Sequence, residues 1–118
     1  DFMGHVNLFH GRVEKGRAVF GPLVMDSAGA AEGSTARLLV RPHELDIQRQ
    51  GNGTALRARV ERVQLAGPLA RIELLDETGN PLLVEISHSQ YDAARFGAGD
   101  QVYVSPRDGR VFTEDYSI

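Results

Sequence analysis

The feature that most constrains this chain is the two-residue rhythm of its middle. In Ala55 to Leu65, Leu56, Ala58 and Val60 share one parity, and Arg57, Arg59 and Glu61 share the other. Ala70, Ile72 and Leu74 then alternate with Arg71 and Glu73, and Leu82, Val84 and Ile86 make the next inward set. Alternation of this period puts one face on a core and the other in water, which describes half-buried strands. Within the first run the apolar parity slips to Val63 and Leu65, which predicts a bulge or bend at Glu61-Arg62. Gly51-Asn52-Gly53, Gly67-Pro68 and Asp76 to Pro81 (DETGNP) separate the runs as turns.

Upstream, Thr35 to Ile47 (TARLLVRPHELDI) reads as a short strand that stops at a proline. Pro42 cannot donate to a ladder and holds Arg41 extended. The chain must turn there, and His43 and Glu44 are placed to satisfy the strand-end amides before Leu45 and Ile47 return to the core. This stretch reads as the hinge between a hairpin region and the regular strands. Val6 to Glu14 and Arg17 to Phe20 flank Lys15-Gly16, a tight hairpin turn. Phe9 and Val13 share a parity that Leu8 breaks, which predicts a bulge or a strand buried on both sides. Leu23 to Met25 follows Gly21-Pro22 as a short edge piece, and Asp26 to Ser34 (DSAGAAEGS) is expected to be a mobile surface loop. Downstream, Ser87 to Phe96 departs from the β pattern. Ser87 or Ser89 can cap a helix that carries Tyr91, Ala94 and Phe96 at loosely helical spacing and ends at Gly97 to Asp100. Val102 and Val104 form the last clear strand. Pro106 to Gly109 is a turn, and Val111, Phe112 and Tyr116 give an apolar tail that docks back onto the core.

These readings give about five short strands between Thr35 and Ser105, with turn signals every 8–12 residues or so, the pattern of an all-β barrel or sandwich. A helix before the last strand fits an OB-like small β-barrel, here with an additional N-terminal hairpin and one short helix. The 118 residues suffice for one domain with a real core, divided into a hairpin and loop (1–34) and a main barrel (35–118). Hydrophobic residues at 42% and charged residues at 25% are ordinary for a soluble globular protein. Without cysteine there is no disulfide framework, thiolate metal site or cysteine nucleophile, which fits a reducing compartment. No apolar run approaches a membrane span. The chain begins at Asp1 inside an apolar phrase, which reads as a fragment of a longer protein.

Catalytic chemistry finds little support. A phosphate loop ends in lysine and serine or threonine, but the only lysine, Lys15, follows no such loop, so the chain cannot hydrolyse ATP by that route. A zinc site needs three or four converging ligands. No pair among His5, His10, His43 and His88 has the i, i+4 spacing, and His5 and His10 fall on opposite parities. Ser87-His88-Ser89 suggests a nucleophile, yet no partner acid is identifiable, and capping explains the serines. The same helix start offers amides to an oxyanion. Arg57, Arg59, Arg62 and Arg71 form a basic strip, but no aromatic platform lies among them and Glu61 and Glu73 dilute it. A solvated outer face with cross-strand ion pairs is the better reading than single-stranded nucleic acid, in keeping with a net charge of -3.

VRPHEL, Val40 to Leu45, resembles the VRPE-like phrase of the TOBE domain, the accessory β-barrel at the C-terminus of many ATP-binding cassette importer ATPases. FMGHVNLFHGRV (Phe2 to Val13) and GDQVYVSPRDGRVFTEDYSI (Gly99 to Ile118) resemble the sulfate and thiosulfate subgroup. The likeness covers nearly the whole chain, loosely across Asp26 to Ser34. One departure is that His43 stands where the phrase has its acidic residue, with Glu44 one place later. The resemblance implies a non-catalytic regulatory domain on the cytoplasmic side of the inner membrane, peripheral to it. Its partners would be a second copy of the ATPase subunit, its own upstream ATPase domain and, through the parent protein, the membrane permease subunits. ATP and magnesium would bind the upstream domain, and none is expected here; nor is nucleic acid. A homodimer patch would draw on Phe2, Met3, Val111, Phe112, Tyr116 and Ile118, which would otherwise pack into their own barrel. Relatives in the molybdate branch bind oxyanions, which makes Ser87, His88 and Ser89 the place for a sulfate-type anion.

Overall fold

The structure, a computed structural model, describes residues 5–27, 29–51, 53–107 and 110–113. Phe2, Met3, Tyr116 and Ile118, with Asn52, Asp108 and Gly109 of the expected turns, lie outside the described residues.

Ten strands and one α-helix follow in the order β1 (Asn7–Glu14), β2 (Arg17–Phe20), β3 (Leu23–Asp26), β4 (Thr35–Val40), β5 (Leu45–Gln48), β6 (Leu56–Ala66), β7 (Leu69–Asp76), β8 (Pro81–Ser87), α1 (His88–Ala94), β9 (Gln101–Pro106) and β10 (Arg110–Thr113). They form two antiparallel five-stranded sheets, ordered β10-β4-β1-β2-β3 and β5-β9-β6-β7-β8. The all-β class, the one α-helix among the described residues and the OB-like curl agree with the sequence reading.

The sheets do not divide at residue 34. β4 pairs with β1, so the hairpin is the middle of a sheet that also recruits β4 and β10. The chain changes sheets at Pro42, where a 3₁₀ turn, Pro42–Glu44, carries it from β4 to β5. The Arg41 amide donates to Glu44 Oε1 at 2.9 Å and the Glu44 amide to Arg41 O at 2.9 Å. The acidic side chain thus caps this turn from one position later than the phrase it resembles.

The expected bulge in β1 is absent. Asn7, Phe9 and Val13 point inward, and Leu8 belongs to the outer face, 36% exposed. Gly11 sits where β1 passes close to β2, and a Cβ there would stand 2.0 Å from Val19 O. Lys15 and Gly16 both take positive φ, 52° and 77°, as a two-residue turn matching strand twist requires. The Asp26 to Ser34 segment is tied down more than its composition suggests. Ser27 is buried and its hydroxyl donates to Gly16 O at 2.8 Å. Val13 and Gly33 amides exchange bonds with Ser34 O and Val13 O, and Glu32 accepts from the Lys15 amide.

In β6 the register against β7 shifts between Val60 and Arg62, at the predicted bulge. Glu61 is the residue left out of the ladder, and Val60 beside it, still opposite Leu74, exchanges backbone bonds with Asp100 and Gly99. One core joins the sheets: Phe9, Phe20 and Leu38 from the first meet Val60, Ile72, Val84 and Val104 from the second. At the seam lies Asn7, 2% exposed, whose side chain donates to Leu83 O and accepts from Leu83 N, both at 2.8 Å. It takes the place of a strand partner on the free edge of β8, since buried backbone groups must be satisfied.

Candidate functional site

The helix start, the arginine strip and the tail are the regions that the sequence offers for function. Ser87 ends β8 in extended conformation and caps α1. Its Oγ accepts from the Gln90 amide at 3.0 Å while Gln90 Oε1 accepts from the Ser87 amide at 3.1 Å, a reciprocal capping box. The His88 amide donates to Pro68 O at 2.8 Å, its Nδ1 lies 3.2 Å from Gly67 O, and its Nε2 lies 3.6 Å from Asp92. The structure thus brings Ser87, His88 and Ser89 together, but the amides of Ser87, His88 and Gln90 are already engaged within the chain. Ser89 is exposed beside them. Capping accounts for this geometry.

At the other end of α1, Arg95 caps the helix at φ 55°. The Arg49 guanidinium donates to the Ala94 and Arg95 carbonyls at 2.8 and 3.1 Å, pairs with Asp100 at 3.1 Å and lies 5.1 Å from the centre of the buried Phe96 ring. The Gly97 amide, bonded to the Asp100 carboxylate at 2.9 Å, and then Arg49 hold that carboxyl below its ordinary pKa. Sequence reasoning missed this clamp because Arg49 lies some fifty residues from its partners and no local pattern marks it.

The arginine strip is paired throughout. Arg62 meets Glu73 at 2.8 Å and Arg71 meets Glu85 at 3.2 Å, each directly across neighbouring strands. Arg59 meets Glu61 at 3.1 Å along β6. Arg57 bonds Glu77 of the β7–β8 turn, which raises its already high pKa. A cleft of about 520 Å³ beside Arg57 and Arg59 is therefore lined by arginines that already hold carboxylates.

The first sheet differs. Its register sets Arg110, Leu39 and Leu8 in one outward row, Phe112, Arg37 and His10 in the next, and Thr35, Arg12, Val19 and Val24 in a third. The interface candidates divide here. Val111 turns inward opposite Leu38 and packs on the core, while Phe112 on the same strand stands outward, 44% exposed. Among the described residues no group of three or more histidine, aspartate or glutamate side chains is placed to hold a metal ion. Among the described residues no helix is long and apolar enough to cross a membrane.

The fold and these faces define a TOBE-type accessory β-domain. Residues 50–107 match the family model for a TOBE-like domain, and the strands are superposable on the cytoplasmic molybdate-binding protein ModG with a TM-score of 0.72 at 14% identity, over 92% of this chain and 95% of that one. Residues 7–47 match the CysA C-terminal regulatory domain, so the chain belongs to the C-terminal regulatory domains of sulfate/thiosulfate import ATP-binding proteins. Proteins of that name from Nitrosomonas europaea and Bacillus cereus are each 39% identical to it, over 91% and 100% of this chain. One from Shewanella oneidensis is 36% identical over 95%. The chain spans only 31%, 34% and 32% of the length of these relatives, in that order.

Proposed function

We propose that this domain regulates a sulfate or thiosulfate importer by contact, helping to keep two ATP-binding subunits paired while nucleotide is bound and released elsewhere in the parent protein. ATP and magnesium would be held by an upstream ATPase domain. The whole assembly would sit at the cytoplasmic side of the membrane, joined to permease subunits. The observation that carries the contact reading is the contrast between a helix start whose Ser87, His88 and Gln90 amides are used internally and a first sheet whose outer face exposes Leu8 and Phe112. The pairing surface would include Phe112 on the edge strand β10; a two-fold contact uses the same patch twice. Static light scattering tests this: apparent mass should rise toward twice the monomer with concentration, and Phe112→Ser should delay the rise. A strict monomer at every concentration overturns it.

The alternative, an oxyanion sensor, draws on the likeness to the molybdate-binding protein. Isothermal titration with sulfate, thiosulfate and molybdate separates the two. On the contact reading none gives saturable heat; saturable binding that Ser87→Ala and Ser89→Ala abolish would establish the sensor.

A further inference from the structure

We propose that the outer face of the first sheet, centred on Arg12, Arg37 and Arg110, docks a protein surface that carries carboxylates among apolar side chains. All three arginines are exposed, and among the described residues none of their side chains has a hydrogen bond or ion pair. Every arginine on a strand of the second sheet, by contrast, holds a glutamate. Among the described residues the three outward rows that contain Arg12, Arg37 and Arg110 include no acidic residue; Glu14 and Asp26 flank Arg17 in the row beyond. Leu8 and Leu39 stand in the same rows, His10 lies opposite Arg37, and Leu8, His10, Arg37 and Phe112 are all exposed on this side of the sheet. Arginine set among exposed apolar residues is the composition of a recognition surface, because the guanidinium forks a carboxylate while its stem covers apolar ground.

Charge selects the occupant. Among the described residues, a second copy of this chain has few free carboxylates to offer. Glu61, Glu73, Glu77, Glu85, Asp46 and Asp100 are held by arginines, and Glu32 and Glu44 by backbone amides. Two copies face to face would oppose arginine to arginine. Nucleic acid needs stacking platforms beside the charge, and among the described residues these rows offer only Phe112 at the edge and the small imidazole of His10. A foreign acidic and apolar protein surface is complementary on both counts. The inference goes beyond the pairing reading above, and it leaves Phe112 at the rim for the pairing contact.

The test uses the 118-residue chain and fluorescence anisotropy of a labelled peptide alternating glutamate and leucine. A glutamine-leucine peptide and oligothymidylate serve as contrasts. The acidic peptide should bind, more weakly as salt rises. Arg37→Glu should lower its affinity about tenfold or more, Arg37→Gln less, and Arg62→Glu on the second sheet by no more than about twofold. Circular dichroism confirms that each variant is folded. No binding of the acidic peptide, an equal loss with Arg62→Glu, or tighter Arg37-dependent binding of oligothymidylate each overturns the inference. Loss of self-association in Arg37→Glu would assign the face to a second copy and overturn it too. If the peptide fails to bind while self-association persists, this inference falls and the pairing function stands. If the chain is monomeric yet binds the peptide through Arg37, the pairing function falls and this inference stands.

Discussion

The two sheets bury similar inner faces and finish their outer faces differently. In the second sheet Arg62 lies directly across from Glu73, and Arg71 from Glu85. In the first, the residues across from Arg37 are His10 and Phe112, and those across from Arg12 are Thr35 and Val19. Both sheets expose arginine from antiparallel strands, so register decides which ones find a carboxylate. Exposed pairs contribute only about 0.2–1 kcal/mol each, so pairing does not explain why the second sheet folds. It neutralises that face. The first face stays charged and partly apolar, a state that folding tolerates and that a partner can use.

The sharpest way to break the comparison is to ask whether the sheets are separate at all. Leu38 and Ile72, one from each sheet, are both fully buried in the same core. Leu38→Ala and Ile72→Ala should each cost about 2–5 kcal/mol, and urea unfolding should stay a single transition in both. Two transitions, with each variant shifting only its own, would show that the sheets fold independently. Asn7→Ala should come next. It strips the Leu83 amide and carbonyl of their shared partner at the seam. Two buried backbone groups left bare should cost about 2–4 kcal/mol. A loss under about 0.5 kcal/mol, the range of ordinary surface substitutions, would mean that water replaces the amide and that the seam is open.

A further test is confined to the second sheet. The Asp100 carboxyl is held below its ordinary pKa by the Gly97 amide and Arg49. A depressed carboxylate stabilises the fold above its unfolded-state pKa, and that contribution is lost as pH falls through the folded value. Stability measured through the acid range, below about pH 4, should therefore fall less steeply in Asp100→Asn. An unchanged acid limb would remove the Arg49 clamp from the account.

Much of this was legible in the sequence, for local reasons. The period-two runs, the slip at Glu61-Arg62, the Lys15-Gly16 turn and the Ser87 cap are each written in adjacent residues, and the structure has all four. What was not legible is non-local. The alternation in Thr35 to Val40 shows that a strand exists but not that it pairs with β1 and β10, which is why a division at residue 34 misses the sheet that β4 joins. Leu8 breaks the apolar parity of β1 because it stands on the outer face, where alternation alone places a polar residue. Ser27 looked like loop filler until its hydroxyl met Gly16 O across the turn. The candidate site had the same limit: capping is a four-residue pattern, whereas an unpaired arginine is visible only once register fixes its neighbours.

The smallest effects bear most directly on that register argument. Arg62→Ala removes an exposed pair with Glu73, 61% and 42% exposed at the two side chains, and should cost about 0.2–1 kcal/mol, less at high salt. Arg37→Ala removes a cation with no partner from a face that also carries Arg12 and Arg110. It should change stability by no more than about 0.5 kcal/mol, and in the stabilising direction at low salt, because like charges on one face repel. Chemical denaturation of both variants at low and high salt reads the sign. If Arg37→Ala destabilises the fold as Arg62→Ala does, Arg37 already has a partner within the chain and the two faces are not different in kind. If the signs are opposite and both effects shrink with salt, the first sheet carries charge that its own fold does not need.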